Sequence, residues 1–182
     1  MTKLSQSRRA AIVAALSLSA LLAACGGGHA ALAQATAGLS PSQTSVNGIA
    51  IPPDPGPAND QTLAGISTTG TGVRDDVYRA LAAKYGANTV EWRAALQSAQ
   101  ADQLSVLANG DPTLSNVAND AEMFAGTCTA DAFGTDLYKP GVHPSSFIFA
   151  ITNDTPERLA AYERTESVNT PDVDTPSNGS CK

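Results

Sequence analysis

Apolar positions divide the chain into an unbroken run, a sparse polar stretch and a periodic region. Ala10 to Ala24 is uncharged and rich in Ala, Leu, Ile and Val, interrupted only by Ser17 and Ser19. A run of about 15 residues is short of the ~20 that a permanent membrane helix needs, and it suits the apolar core of a signal peptide. Lys3, Arg8 and Arg9 supply the basic region before it. From Gly26 to about Thr62 the pattern thins to Gly, Ala, Ser, Thr, Gln and Pro, with Ile49-Ala50-Ile51 the one clear apolar point. Pro41, Pro52, Pro53, Pro55 and Pro57 break any helical period, and few large side chains offset the entropy of ordering. Residues 25–62 therefore read as a disordered linker, with His29 solvated inside it. A flexible chain of that length would reach roughly 30 to 35 Å.

Residues 63–182 carry helical periodicity and read as one small, mainly α domain, a bundle of about four helices. Val73, Val77, Leu81 and Tyr85 recur every four residues, placing one apolar stripe on a helix that Gly86 ends. Asp75 and Asp76 fall in its first turn, where carboxylates meet the positive end of the helix dipole. A second helix opens at Asn88, with Glu91 three residues on as in a capping box, and runs through Trp92, Leu96, Ala99 and Leu107 to Asn109-Gly110. The third opens at Asp111-Pro112 and repeats Leu114, Val117, Ala121, Phe124 and Cys128. Gly134, Pro140, Gly141 and Pro144 predict an irregular loop over 131–146. Periodicity does not separate strand from helix in the apolar run Phe147-Ile148-Phe149-Ala150-Ile151, and the lack of a second strand to pair with it favours helix. Thr155-Pro156-Glu157 opens a last helix through Leu159 and Tyr162 to about Ser167, before a polar tail over 169–182.

Composition supports close helix packing, since aromatics are only 5% of the chain and alanine supplies much of its apolar content. Charge narrows the partners. Lys plus Arg number 11 against 17 Asp plus Glu; a leader spanning 1–24 would take three of the bases, moving the balance from -6 to -9. So acidic a chain is repelled by phosphate backbones and anionic headgroups, which argues against nucleic acid.

Leu22-Ala23-Ala24-Cys25 resembles the lipobox of bacterial lipoproteins. That resemblance implies lipidation of Cys25, which becomes the mature N-terminus, and a bilayer partner held through acyl chains rather than basic patches. More than one acyl chain is enough for stable anchoring. In lipoproteins of two-membrane bacteria, glycine after the acylated cysteine usually directs the protein to the outer membrane. Gly26 in that position implies an outer-membrane anchor with the domain facing the periplasm. Two thiols then remain, Cys128 and Cys181, and an oxidising compartment favours a disulfide between them that ties down the tail. With His143 the only histidine of the domain and no CxxC pair, a metal site or catalytic thiol is the weaker reading of both cysteines.

Gly70-Thr71-Gly72-Val73-Arg74-Asp75-Asp76-Val77, with Asn153-Asp154-Thr155-Pro156-Glu157-Arg158 and Ala161-Tyr162, resembles motifs in a group of uncharacterised exported bacterial proteins. The group implies a small helical domain and no known activity. In its fuller motif the first segment has the arrangement of a calcium loop, with oxygen ligands at alternate positions. Here those positions are Ser67, Thr69 and Thr71, and Tyr78 stands where a closing glutamate would sit. Neutral hydroxyls offset calcium desolvation poorly, so a glycine turn feeding an acidic helix start is the preferred reading.

No nucleophile elbow, zinc-binding helix, phosphate loop or dinucleotide pattern occurs, and no cofactor is indicated. Carboxylate pairs such as Asp75 with Asp76 or Glu163 with Glu166 read as solvated helix faces. Arg74 and Arg158 read as anchors for helix ends or partners of nearby acids. The leading expectation is an anchored binding or envelope-structural module. The alternatives are an envelope hydrolase with dispersed carboxylates and a degenerate calcium-loop module. A cleft on which two or more acids converge would favour the hydrolase, and a closed bundle with a flat apolar patch the binder.

Overall fold

A computed structural model describes residues 27–138, 143–168 and Cys181. The expected leader, Cys25 and most of the polar tail lie outside them. The described chain is mainly helical: α1 (Gly27–Thr36), α2 (Asp75–Tyr85), α3 (Thr89–Ala108), α4 (Pro112–Phe133), α5 (Pro144–Thr152) and α6 (Pro156–Val168). A short hairpin, β1 (Ser45–Val46) and β2 (Ile49–Ala50), and 3-10 turns at Gly56–Gln61 and Gly134–Tyr138 complete it. None of these helices is long and apolar enough to cross a membrane.

The helix starts follow local chemistry. Asn88 accepts from the backbone N–H groups of Val90 and Glu91, and Asp111 from those of Thr113 and Leu114. Each thereby satisfies donors that the first turn leaves without partners. Glu91 closes its box on the Asn88 side-chain amide at 2.7 Å. At the start of α6, Thr155 Oγ1 accepts from Arg158 N at 3.2 Å. Asn109, in the left-handed region at φ 50°, ends α3. Residues 147–151 are helical within α5. The interval 131–146 is less irregular than its glycines and prolines predict: α4 continues to Phe133, a 3-10 turn follows, and Pro144 is the first residue of α5. Proline costs nothing there, because that N–H has no helical partner anyway.

Val73, Val77, Leu81 and Tyr85 form the predicted stripe, each at most 6% exposed, and α2 packs against α1, α3 and α5 through it. Leu32, Ile51, Trp92, Ile148 and Ile151 close the core around it. Trp92 and Ala99 on α3 and Cys128 on α4 are buried as expected, and Leu96 and Ala121 half-buried, but the rest of the faces expected of this helix pair differs. The pair buries Ala94, Ala95, Ser98, Ala99 and Ser105 on α3 and Ser115, Ala118, Ala125 and Cys128 on α4. Leu107, Leu114, Val117 and Phe124 are instead between 43% and 53% exposed. Small side chains let the two helix backbones approach closely, and the larger apolar residues are left on the flanks.

The linker expectation is corrected for residues 27–62, which fold onto the domain. Leu32 and Ile51 enter the core, and Asn47-Gly48 turns the hairpin with φ of 51° and 80°. That pair of positive φ values suits the tight turn of a right-twisted ribbon. The proline-rich backbone makes few hydrogen bonds of its own, and buried side chains supply them from a distance. Arg79 donates to the carbonyls of Ser40, Gln43 and Pro52 at 2.8, 3.1 and 2.6 Å. Asn47 reciprocates, donating to the carbonyls of Ala82 and Ala83 that end α2.

Candidate functional site

Both segments of the motif resemblance meet in the fold, at a charged junction under α1. Arg74, the residue before α2, is fully buried. It donates to the carbonyls of Ile151 and Thr152, which close α5, and to Asp154 at 2.8 Å. Arg158 on α6 donates to Asp154 at 2.8 Å, to Asp60 at 3.0 Å and to the carbonyls of Asn59, Thr62 and Leu63. One carboxylate oxygen, Asp154 Oδ1, thus holds two buried guanidinium groups. Asp76 takes the remaining edge of Arg74, with Nε to Oδ1 at 3.1 Å. Burying these charges is tolerable only because each is paired and hydrogen-bonded. Gly65, at φ +59°, lies so close to Arg74 and Asn59 that a Cβ there would overlap both side chains.

The second oxygen of Asp154 is different. The residue is 3% exposed, yet Oδ2 has no hydrogen bond. His29 Nδ1 stands 3.7 Å away, on a half-exposed ring of α1. Asp154 and His29 are among the residues lining a cavity of about 210 Å³, with Leu32, Asp54, Asp60 and Arg79.

A second cavity, about 220 Å³, opens among α3, α4, α5 and α6, and Asp102, Glu122, Phe149 and Tyr162 line it. Burial, then repulsion from Glu122 and Glu166, pushes the Asp102 carboxyl up to about 8. Burial raises Glu122 as well, opposed by its hydrogen bonds from Ser105 and Tyr162. The Tyr162 hydroxyl is raised by burial and by these acids, and its ring meets Phe149 edge-on at 5.1 Å. Acid–base catalysis works best when two groups are driven apart in pKa, one toward the proton and one away from it. Here both carboxyls are driven the same way.

The other sequence-predicted residues fall as follows. Cys128 and Cys181 are joined by a disulfide, S–S 2.00 Å, which ties Cys181 to α4. His143 precedes α5 without a capping hydrogen bond and is exposed. The loop before α2 satisfies itself: Ser67 donates to the Val73 carbonyl, the Thr69 and Thr71 hydroxyls pair at 2.7 Å, and Asp75 accepts from the backbone and hydroxyl of Thr68. Its oxygens are thus engaged with one another or with neighbouring backbone. Among the described residues no group of three or more His, Cys, Asp and Glu side chains is placed to hold a metal ion. Asp154 was not singled out by sequence reasoning; the signal was available in the opposite charges of the two motif segments. Comparison with family models, curated proteins and solved structures found no match to the chain.

Proposed function

We propose that this protein is a lipid-anchored envelope protein that holds a small helical binding module directly against the membrane surface. The observation that carries this reading is the docking of α1. Gly28 sits so close to Asp154 and the Ala150 carbonyl that a Cβ would overlap backbone atoms of both. If Cys25 carries the lipid, only Gly26 and Gly27 separate it from that contact. The three residue steps from Cys25 to Gly28 span at most about 11 Å, against the 30 Å or more of a flexible linker. The domain would not search the periplasm on a long leash; its α1 end would sit at headgroup level. The glycine after Cys25 supports the outer membrane, periplasmic side.

Asp102 and Glu122 converge on the cavity among α3, α4, α5 and α6, the feature expected of the hydrolase, so that alternative stands beside the binding role. Exposed Leu104, Leu107, Leu114, Val117 and Phe124 on α3 and α4 also give the module apolar surface.

Intact mass of protein extracted from host membranes tests the anchor, beside a Cys25→Ser variant. A mass starting at Cys25 with added acyl chains, lost in the variant together with membrane association, is expected. An unacylated, freely soluble wild-type protein overturns the reading. Limited proteolysis tests the docking: residues 27–62 should resist cleavage, and rapid cutting there would restore the long linker.

A further inference from the structure

We propose that the cavity beside Asp154 binds the primary ammonium group of a small amine. Its wall is rich in carboxylates: Asp154, whose Oδ2 has His29 Nδ1 at 3.7 Å, and the exposed Asp54 and Asp60. Asp154 Oδ2 is buried and has no hydrogen bond. Asp60 and Asp54 add carboxylates at the rim, where Asp60 Oδ1 accepts from Arg158 and Asp54 Oδ1 from the Gly56 N–H. The cationic donors of the wall are committed elsewhere. Arg79 directs both terminal nitrogens at the carbonyls of Ser40, Gln43 and Pro52, and Arg74 and Arg158 are bonded on the far side of Asp154. A ligand that takes the place of His29 beside Asp154 Oδ2 must bring positive charge and N–H donors.

A metal ion fits poorly, since no set of three ligating side chains converges among the described residues. An alkylammonium fits well: its three N–H groups match several separated acceptors, and its carbon stem would lie on Leu32 in a space of about 210 Å³. A quaternary ammonium of similar size has no N–H to give and leaves Asp154 Oδ2 unsatisfied. His29 stands between the cavity and solvent on a half-exposed ring, so it can turn aside without disturbing the two arginines.

The amine has two possible sources, a free small molecule or the ethanolamine headgroup of the bilayer. The lipid source rests on the anchored reading above; the ammonium site itself does not. The full chain, purified in nonionic detergent, is titrated with ethanolamine and with choline at constant ionic strength while the thermal midpoint is followed. A ligand that binds only the folded state raises the midpoint as its concentration passes Kd. A saturating rise with ethanolamine, at least about tenfold weaker with choline, is expected from the N–H requirement. Asp154→Asn is a poor probe, because Arg74 and Arg158 lose their shared counter-ion. Ala33→Phe is the better one: Ala33 is exposed on α1 and lines the cavity, so a large ring there blocks the mouth and spares the ion pairs. It should abolish the ethanolamine response while the amine-free midpoint stays close to wild type.

Equal responses to ethanolamine and choline, no response to ethanolamine up to about 100 mM, or an undiminished response in Ala33→Phe would each overturn the proposal. Reconstitution into bilayers then separates the sources. A response kept in phosphatidylcholine but already saturated in phosphatidylethanolamine identifies the headgroup, whereas a response kept in both identifies a free amine. Both results support the ammonium site. A protein found to lack acyl chains removes only the bilayer comparison and leaves the detergent titration standing.

Discussion

Replacing Asp102 with asparagine should make the protein more stable at neutral and alkaline pH and leave it unchanged near pH 4. Asp102 faces the cavity among α3, α4, α5 and α6, where burial and the charges of Glu122 and Glu166 raise its carboxyl from 3.8 to about 8. Between those values the folded protein holds a proton that the unfolded chain releases. Stability is therefore fully present below about pH 4, falls by about 1.4 kcal/mol per pH unit, and levels off once the pH has passed through the folded value. At pH 7 the accumulated loss is up to about 4 kcal/mol, a large part of the 5–15 kcal/mol that holds a typical domain together. Asparagine is neutral in both states and has no such dependence. Urea denaturation midpoints at pH 5, 7 and 9 measure this directly, and the difference between wild type and Asp102→Asn cancels every other titrating group to first order. The difference should grow with pH and flatten above about 8. Parallel curves, or a variant less stable than wild type at pH 9, would refute the burial and repulsion assigned to this carboxyl.

Other perturbations probe the junction and the tail. Arg158→Met leaves Asp154 to Arg74 alone, removes the ion pair of Asp60 and frees the carbonyls of Asn59, Thr62 and Leu63; loss of one member of a buried pair costs about 3–5 kcal/mol, read as a lower denaturation midpoint. Gly28→Ala should pull α1 off the domain and expose Leu32, a loss of roughly 1.5–3 kcal/mol, with new protease cuts between residues 27 and 62; unchanged protease resistance would contradict the close approach at Asp154. Opening the Cys128–Cys181 bridge by a double serine substitution should cost about 4 kcal/mol in the chain-entropy treatment, for a separation of 53 residues. Thiol titration of the non-reduced, unfolded protein should find neither of these two cysteines free.

How far the fold was legible depends on the range of the interactions that build each part. The helix starts at Asn88, Asp111 and Thr155 depend on a side chain and backbone groups two or three residues away, so local spacing reveals them. The stripe from Val73 to Tyr85 was equally readable, because α2 is enclosed by neighbours. On α3 and α4 Trp92, Ala99 and Cys128 were read correctly and Leu107, Leu114, Val117 and Phe124 were not, since a search for large apolar residues overlooks an interface made of Ala and Ser. The hairpin at Asn47-Gly48 had a recognisable local signal that the surrounding prolines overshadowed.

What the sequence by itself determined is the local grammar: where helices begin, that the domain is mainly helical, that its composition is acidic, and that Leu22 to Cys25 has the form of a lipobox. Only the tertiary structure decided that residues 27–62 belong to the domain, and that Asp154 carries two buried arginines on one oxygen while the other makes no hydrogen bond. The physical reason is reach. Arg79 satisfies carbonyls up to 39 residues away, and Arg158 one that is 99 residues away. Hydrogen bonds of that separation leave no period in the chain, so a polar, proline-rich segment looks unable to order itself until the buried guanidinium groups that order it are in place.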